Sequence, residues 1–457
     1  AETLLHKMKK AGFHRLIYSK EQRSPKALSI MQNIFPDTEA TNHEDVASMV
    51  HAPKSERGKV GVMFLNLPWI EGAQHGVRAG SRWPHLKDAP ENAYLPYPFF
   101  LAYATSLLKK NHFNAVLYDA IAEGHTQEQV LAHITDLDPA YIVIETSTIT
   151  LHKDIAVSKL IPKRHTIIFV GPEVQLGTMA FLEQHPHISY TVKGEYEAAL
   201  LELFTALIHK RSVEHINGLR YRTEGGVCAN KDRALTRLDD LPWPERDDVP
   251  MYAYNDTPGA IPMPSVQMLA SRGCPFGCIF CLWPSVMYGG RNYRNRNYMD
   301  VVDEMEYLVK RGFKSIYFDD DSFGLDKTWV MSLCNEIIKR NTEGRINVPW
   351  AMMTRPDCMD PMLLRNMKRA GLVAVKYGIE TASPDLLRIS GKMYDRAQVE
   401  SVLAETKRLN INIHLTFTFG LPGETHRSAR DTIYYACHLD PDSVQFSVTT
   451  PFPGTPY

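Results

Sequence analysis

Three cysteines stand close together in Cys274-Pro-Phe-Gly-Cys278-Ile-Phe-Cys281, a loop introduced by Ser271-Arg272-Gly273 after the short apolar run of residues 266–270. Three thiolates in so compact a loop can take three corners of a cubane four-iron four-sulfur (4Fe-4S) cluster, leaving the fourth iron without a protein ligand. An open iron is a place for chemistry. Structural zinc is the competing reading, but zinc asks for four ligands, commonly in two separated pairs. No fourth Cys or close His follows Cys281.

The C-x3-C-x2-C spacing, with the aromatic Phe280 before the third cysteine, resembles the signature of the radical S-adenosylmethionine (radical SAM) superfamily. The resemblance implies that the amino and carboxylate groups of SAM chelate the unique iron. It also implies that one electron from the cluster breaks the sulfonium to give a 5′-deoxyadenosyl radical.

Composition bounds the rest. A chain of 457 residues is long enough for two or three domains. With 44% hydrophobic and 23% charged residues it reads as an ordinary globular protein. The net charge of −1 argues against a nucleic-acid footprint, which needs a basic excess on one face. No apolar run reaches the ~18 residues of a transmembrane helix and no signal peptide opens the chain, so a cytoplasmic protein is expected. Seven cysteines, an odd number, do not make a disulfide framework. Cys228, Cys334, Cys358 and Cys437 have no mutual spacing and read as small buried hydrophobes.

Residues 1–56 read as an N-terminal helical extension, with short apolar periods at Leu4, Leu5, Met8 and Phe13. Order begins with a buried-strand pattern over 59–66, which ends in Leu67-Pro-Trp69-Ile70. Further strands are expected at 115–118, 141–144, 166–170 and 188–192, separated by helical periods at 99–110, 127–134, 154–160, 176–183 and 197–208. This alternation predicts an α/β fold: a doubly wound, Rossmann-like parallel sheet over residues 57–212, whose ligands sit at the carboxyl ends of the strands. Those ends carry Asp119-Ala-Ile-Ala-Glu-Gly124, then Thr146-Ser147-Thr148, then Gly171-Pro172-Glu173, then Gly194-Glu195. Each alone is turn chemistry.

Their joint order, with Tyr94-Leu-Pro-Tyr-Pro-Phe-Phe100 opening the first helix, resembles the cobalamin-binding domain that precedes the radical SAM domain in one large class of these enzymes. The resemblance covers roughly residues 59–210 and implies that these strand-end residues line a corrin. Trp69, with the long loop Gly76-Val-Arg-Ala-Gly-Ser-Arg-Trp-Pro84, would cover one face; a surface loop with a packed Trp83 is the alternative. Many such domains carry D-x-H-x-x-G, whose imidazole coordinates cobalt. Here Ile121 stands at the histidine position between Asp119 and Gly124, so base-off cobalamin without a histidine lower ligand is expected. A degenerate Rossmann-like domain that has lost the cofactor is the competing reading.

A hairpin around Gly225-Gly226 is expected within 216–229, and residues 237–265, with six prolines from Pro242 to Pro264, cannot be helix interior or central strand. Residues 213–265 therefore read as hairpin and linker. Beyond the cysteine loop, strands at 315–319, 348–354, 374–379, 413–419 and 443–449 alternate with helices begun by Asp300, Asp326, Asp360-Pro361 and Ser383-Pro384. With the strand before Cys274 that makes six, and a further C-terminal part is expected beyond residue 457. Residues 266–457 resemble the partial (βα)6 barrel of radical SAM enzymes, where active residues lie on loops at the C-terminal strand ends.

That resemblance implies Phe280 near the SAM adenine, carboxylates of the Asp319-Asp320-Asp321 turn on the SAM amino group, and Arg355 on its carboxylate. Glu380 would reach the ribose hydroxyls, and Gly420-Leu421-Pro422 would let backbone approach the adenine. Strand-end caps and a surface ion pair are the structural alternatives. Two cofactor domains in this order imply a methyltransferase that moves methyl from SAM, by way of methylcobalamin, to an unactivated carbon of a small-molecule or peptide substrate in the interdomain cleft. A flavodoxin or ferredoxin would supply electrons. A non-methylating cobalamin-dependent enzyme such as an oxidative cyclase, and a corrinoid-binding sensor, are the alternatives.

Overall fold

The first lobe is built on strands whose side chains are covered on both faces. The computed structural model describes residues 18–19, 40–41, 61–72, 74–77, 85–87, 95–172, 174 and 178–457. The extension expected over 1–56, most of the loop expected to cover the corrin, Tyr94 and Glu173 lie outside the described residues, apart from a parallel pairing of Tyr18–Ser19 with Ala40–Thr41.

Strand β1 (Val62–Asn66) is buried throughout, the continuous apolar run of a parallel strand packed on both sides. Next come β2 (Ala115–Asp119), β3 (Tyr141–Glu145), β4 (Thr166–Val170) and β5 (Ile188–Val192), then the hairpin β6 (Leu219–Thr223) and β7 (Gly226–Ala229). The sheet order is β7-β6-β5-β4-β3-β1-β2. Strands β1 to β5 are parallel, while the hairpin, expected as part of a linker, adds antiparallel to β5. The order reverses between β1 and β3, the place where doubly wound sheets open a crevice. Helices α1 (Phe99–Lys110), α2 (Gln127–Leu137), α3 (Leu151–Ser158), α4 (Thr178–Gln184) and α5 (Glu197–Ile208) connect the strands.

The second sheet is a half-barrel of six parallel strands in sequential order: β8 (Ser265–Met268), β9 (Ser315–Phe318), β10 (Trp350–Thr354), β11 (Leu372–Glu380), β12 (Asn412–Phe419) and β13 (Ser443–Val448). Outside it run α6 (Tyr298–Lys310), α7 (Lys327–Thr342), α8 (Pro361–Arg369), α9 (Pro384–Ile389), α10 (Arg396–Arg408) and α11 (His426–Leu439). Asp326, Asp360 and Ser383 cap their helices as expected, each side-chain oxygen accepting from a backbone N–H of the first turn. Asp300 does not. Asn297 caps α6 three residues earlier, and the Asp300 carboxylate accepts instead from Arg296 at 2.6 Å and from the Trp243 indole at 2.9 Å.

The proline-rich segment is packed rather than loose. Its last turn, Pro258–Ala260, closes the N-terminal end of the half-barrel: the Gly259 carbonyl accepts from Asn412 at 3.0 Å, and Ile261 packs with Tyr317, Ala351 and Ala374. One apolar core then runs from Phe64 and Phe100 of the first lobe through Met268 and Trp283 to Leu415 of the second. Among the described residues no helix is long and apolar enough to cross a membrane.

Candidate active site

The cysteine loop sits at the C-terminal end of β8 and is braced on every side. Ser271–Arg272 pairs antiparallel with Arg294–Asn295 to frame its entry. At its far side the Ile279 N–H donates to the Ser390 carbonyl at 2.9 Å. Gly391 comes so close that a Cβ there would stand 2.5 Å from the Gly277 carbonyl oxygen, with φ at 70°; only glycine fits both demands. Burial raises the pKa of all three thiols, that of Cys274 to about 11, and for Cys281 the charges of Cys278 and Cys274 raise it further. They act on one another at close range. Iron binding must therefore displace three protons. Among the described residues no three His, Cys, Asp or Glu side chains converge as the ligands of one metal ion; a cubane asks instead for one thiolate at each of three separate irons.

The acids after β9 hold this loop. Asp320 is fully buried and accepts from the Ala270 N–H at 3.2 Å and from the backbone and hydroxyl of Ser271. Burial lifts its pKa to about 7 against these hydrogen bonds. Asp321 accepts from the Gly273 N–H at 2.9 Å and the Tyr288 hydroxyl at 3.1 Å. Asp319 is also buried, its N–H donating to the Met268 carbonyl at 2.9 Å. The expected SAM-amino ligands Asp320 and Asp321 are thus engaged with the cysteine loop itself.

Arg355 lies over the Phe276 ring at 3.8 Å. It donates to both oxygens of Asp357, at 3.0 and 2.7 Å, and to the Met393 carbonyl at 3.1 Å, while its buried Nη1 has no partner. Glu380 is held by Lys392 at 2.5 Å and by the Thr418 hydroxyl at 2.7 Å. Burial lowers the Lys392 pKa, but the charges of Glu380 and Cys278 outweigh it and the pKa is raised. Lys392 and Arg355 both favour the thiolate of Cys278. Phe280 is half-buried, Leu421 buried, and Gly420 exposed with its N–H on Glu424. Phe276 and Lys392 carried no signal in the sequence: Lys392 follows the short α9, and only the fold brings it to Glu380.

At the strand ends of the first lobe the side chains are equally committed. Asp119 is buried and accepts from Asn66 at 2.9 Å, from the Ile121 and Ala122 N–H groups at 3.1 and 3.2 Å, and from the Tyr254 hydroxyl at 2.9 Å. Thr146 donates to Asp154 at 2.7 Å and Ser147 exchanges a hydrogen bond with Thr150 at 3.0 Å. Thr148 is half-buried and Pro172 buried. Gly124 is exposed, with nothing within 4 Å of a Cβ placed on it, whereas Gly171 is buried and a Cβ there, with φ at 103°, would stand 2.4 Å from the Thr146 carbonyl oxygen. Trp69 is buried next to the antiparallel pairing of Ile70 and Glu71 with His75 and Gln74, its indole donating to Glu71 at 2.9 Å and its ring against Gly76.

Glu195 does something the sequence did not announce. Arg272, two residues before Cys274, pairs with Glu195 at 3.1 Å and with Glu197 at 2.7 Å, all three buried. Its guanidinium stacks on Phe100 at 4.2 Å and Tyr103 at 4.8 Å. Arg294, on the other strand of the framing ribbon, reaches both Glu195 oxygens at 2.9 Å. Acids at the end of β5 thereby clamp both strands that deliver the cysteine loop. Alongside them Phe100 packs on Trp283 at 4.7 Å, and Gly194 faces the Met287 carbonyl. Of the scattered cysteines, Cys334 is buried, Cys228 and Cys358 half-buried, and Cys437 exposed against expectation.

This arrangement has known counterparts. Residues 268–436 match the radical SAM superfamily. The chain is 31% identical over 363 residues to the uncharacterized methyltransferase PH0819 of Pyrococcus horikoshii, covering 78% of this chain and 77% of the relative. It is 27% identical over 411 residues to the anaerobic magnesium-protoporphyrin IX monomethyl ester cyclase of Rubrivivax gelatinosus, covering 86% of this chain and 68% of the relative. Its fold matches the radical SAM methyltransferase TsrM of Kitasatospora setae, solved with cobalamin and a [4Fe-4S] cluster bound, with a TM-score of 0.66 at 21% identity over 88% of this chain and 74% of that one. The chain belongs to the radical SAM superfamily, and its relatives and structural neighbours include cobalamin-dependent radical SAM methyltransferases.

Proposed function

We propose that this chain transfers a methyl group from SAM to an unactivated carbon of its substrate, with a 4Fe-4S cluster, SAM and cobalamin as cofactors. The observation that carries the reading is the Arg272–Glu195–Arg294 clamp, which brings the cysteine loop against the carboxyl edge of the first sheet. When bound, these cofactors supply reductive cleavage of SAM, a radical able to take hydrogen from carbon, and a methyl carrier.

In this reading Cys274, Cys278 and Cys281 each hold one iron. Arg355, with Nη1 open and its plane fixed by Asp357 and Phe276, takes the SAM carboxylate, for which its fork is suited. Glu380, oriented by Lys392 and Thr418, faces the ribose hydroxyls, with Phe280 and the Gly420-Leu421-Pro422 backbone against the adenine. In the first lobe Gly124 and Gly194 would let a corrin approach the backbone, flanked by Thr148. Ile121 offers no lone pair to cobalt, so cobalamin binds without a histidine lower ligand. The neighbouring imidazole, His125, is held by the Tyr118 hydroxyl at 2.6 Å. Substrate lies between the two sheets, where water is displaced and reacting atoms are held within roughly 3–3.5 Å. A flavodoxin or ferredoxin is the proposed electron donor and the reducing cytoplasm the proposed location.

Incubating the reconstituted chain with SAM, cobalamin and a reductant tests this: S-adenosylhomocysteine and 5′-deoxyadenosine should both form. Formation of 5′-deoxyadenosine alone would remove methyl transfer and leave a cyclase-type reaction, the second reading, favoured by the 86% of this chain that aligns with the cyclase. In electron paramagnetic resonance of the Co(II) form, nitrogen superhyperfine splitting from an imidazole would overturn the missing lower ligand.

A further inference from the structure

The inner face of the half-barrel carries a charge that the cofactor roles leave unused. Register places Met353, Lys376, His414 and Ser443 in one row across β10 to β13. Side chains two apart along a strand share a face, and the neighbours of Lys376 fix which face this is. Two residues on, a Cβ on Gly378 would stand 2.5 Å from Lys392 Nζ and 2.8 Å from Glu380 Oε1, at the cofactor end. Two residues back, Ala374 packs with Ile261, Tyr317 and Ala351 on the turn that closes the barrel from below. Lys376 thus lies on the inner wall, about 7 Å along the strand from either level.

Every other inward or buried cation of this lobe has an acid: Lys392 has Glu380, Arg355 has Asp357, Arg296 has Glu304 and Arg340 has Glu306. Half-buried Lys376 makes no ion pair among the described residues. The acid at its own level, Asp319, follows β9 two strands away, about 10 Å across the sheet. Beside Lys376 stands His414, whose ring Nδ1 is within 2.8 Å of the Ser443 hydroxyl; burial and the Lys376 charge push its pKa down to about 4. At pH 7 it is a neutral hydrogen-bonding group. The surrounding wall is small and polar, with Gly378, Thr416, Gln445 and Ser447. A half-buried ammonium on a concave wall with no carboxylate paired to it is left incompletely compensated, and three N–H donors suit an oxyanion.

We infer that Lys376, with His414 beside it, binds an oxyanion of the substrate, a carboxylate or a phosphate. Its anionic end sits deep in the half-barrel and its reacting carbon points up towards the cysteine loop. This rests on the methyl-transfer reading only for the statement that substrate enters this space.

The test uses the reconstituted protein with SAM, titrated separately with inorganic phosphate and with acetate in a calorimeter. At least one should bind saturably, and which binds more tightly separates a phosphate ester from a carboxylic acid. Lys376→Met should weaken that binding at least about tenfold, the size of one charge-assisted contact, while Lys376→Arg retains it. Should the Met variant fail to take up iron, amine-reactive labelling of the natural chain answers the question. The binding anion at twice its Kd should slow modification of Lys376 about threefold and leave Lys407 unaffected. Binding of neither anion, undiminished binding by the Met variant, or an unprotected Lys376 would overturn the proposal. None of these readouts involves methyl transfer, so absence of S-adenosylhomocysteine would sink that reading and leave this one standing.

Discussion

The strand ends of the two sheets look alike in sequence and behave differently in space. In the first lobe Asp119, Thr146, Ser147 and Glu195 all turn their polar atoms onto protein neighbours, and of Gly124, Gly171 and Gly194 only Gly124 is exposed. In the half-barrel Asp320 and Asp321 are likewise turned inward, onto the cysteine loop, but the cations Arg355 and Lys392 act on a thiol and Arg355 keeps an unsatisfied nitrogen. Buried polar groups find partners in almost every folded protein. What marks a ligand-facing residue is therefore a partner it lacks, more than the type of side chain it carries.

The comparison can be broken hardest at the thiols. Cys278→Ala should abolish retention of a 4Fe-4S cluster, read as loss of the broad visible absorbance and of bound iron after anaerobic reconstitution, and with it all SAM cleavage. The clamp comes next. Arg272→Met leaves Glu197 buried without its cation and Glu195 with Arg294 alone, and removing one partner of such a cluster costs about 3–5 kcal/mol. Chemical denaturation should show this, and Glu195→Gln with Glu197→Gln in the same chain should recover part of it.

The buried acid beneath the loop should follow in size. The folded pKa of Asp320 is raised from 3.8 to about 7, so between those values the folded chain binds the proton that the unfolded chain releases. Its contribution to stability is fully present below about pH 4 and is lost as pH rises to about 7, with a slope of up to about 1.4 kcal/mol per pH unit. The difference in stability between the natural chain and Asp320→Asn, followed from pH 4 to 8, should trace that loss and then level off; a flat difference would show that the hydrogen bonds keep the carboxylate ionised.

Two smaller effects separate the lobes directly. Arg355→Met should weaken SAM binding roughly ten- to a hundredfold, the worth of a charged hydrogen bond at about 1.5–3 kcal/mol, while the cluster is retained. Thr146→Val should cost about 1–2 kcal/mol of stability by leaving Asp154 short of a donor and should leave SAM affinity unchanged. Equal effects of both variants on SAM affinity would dissolve the distinction between a ligand-facing and a bracing strand end.

Much of this was legible in the residues. The apolar runs of β1 to β5, the cap at Asp326 and the Asp360-Pro361 start carry their geometry locally, because caps and buried strands are decided within a few residues. Asp300 misled because Asn297, an equally good cap, precedes it, and Arg296 and Trp243 compete for the carboxylate. The connection between β11 and β12 holds two helices rather than one because Gly391 must leave the helical path to meet Gly277, a contact more than a hundred residues away. Glu195 read as a ligand residue for the same reason: nothing near it announces Arg272.

By itself the sequence determined the order of strands and helices, the three-cysteine loop and the missing imidazole at Ile121, since spacing and side-chain type are properties of the chain alone. Only the tertiary structure decided which strand-end groups brace and which are left open, that Lys392 and Arg355 meet at Cys278, and that Lys376 looks into the half-barrel without an acid beside it. Those depend on which distant residue arrives first to satisfy a buried charge, and that is settled only when the two sheets have packed.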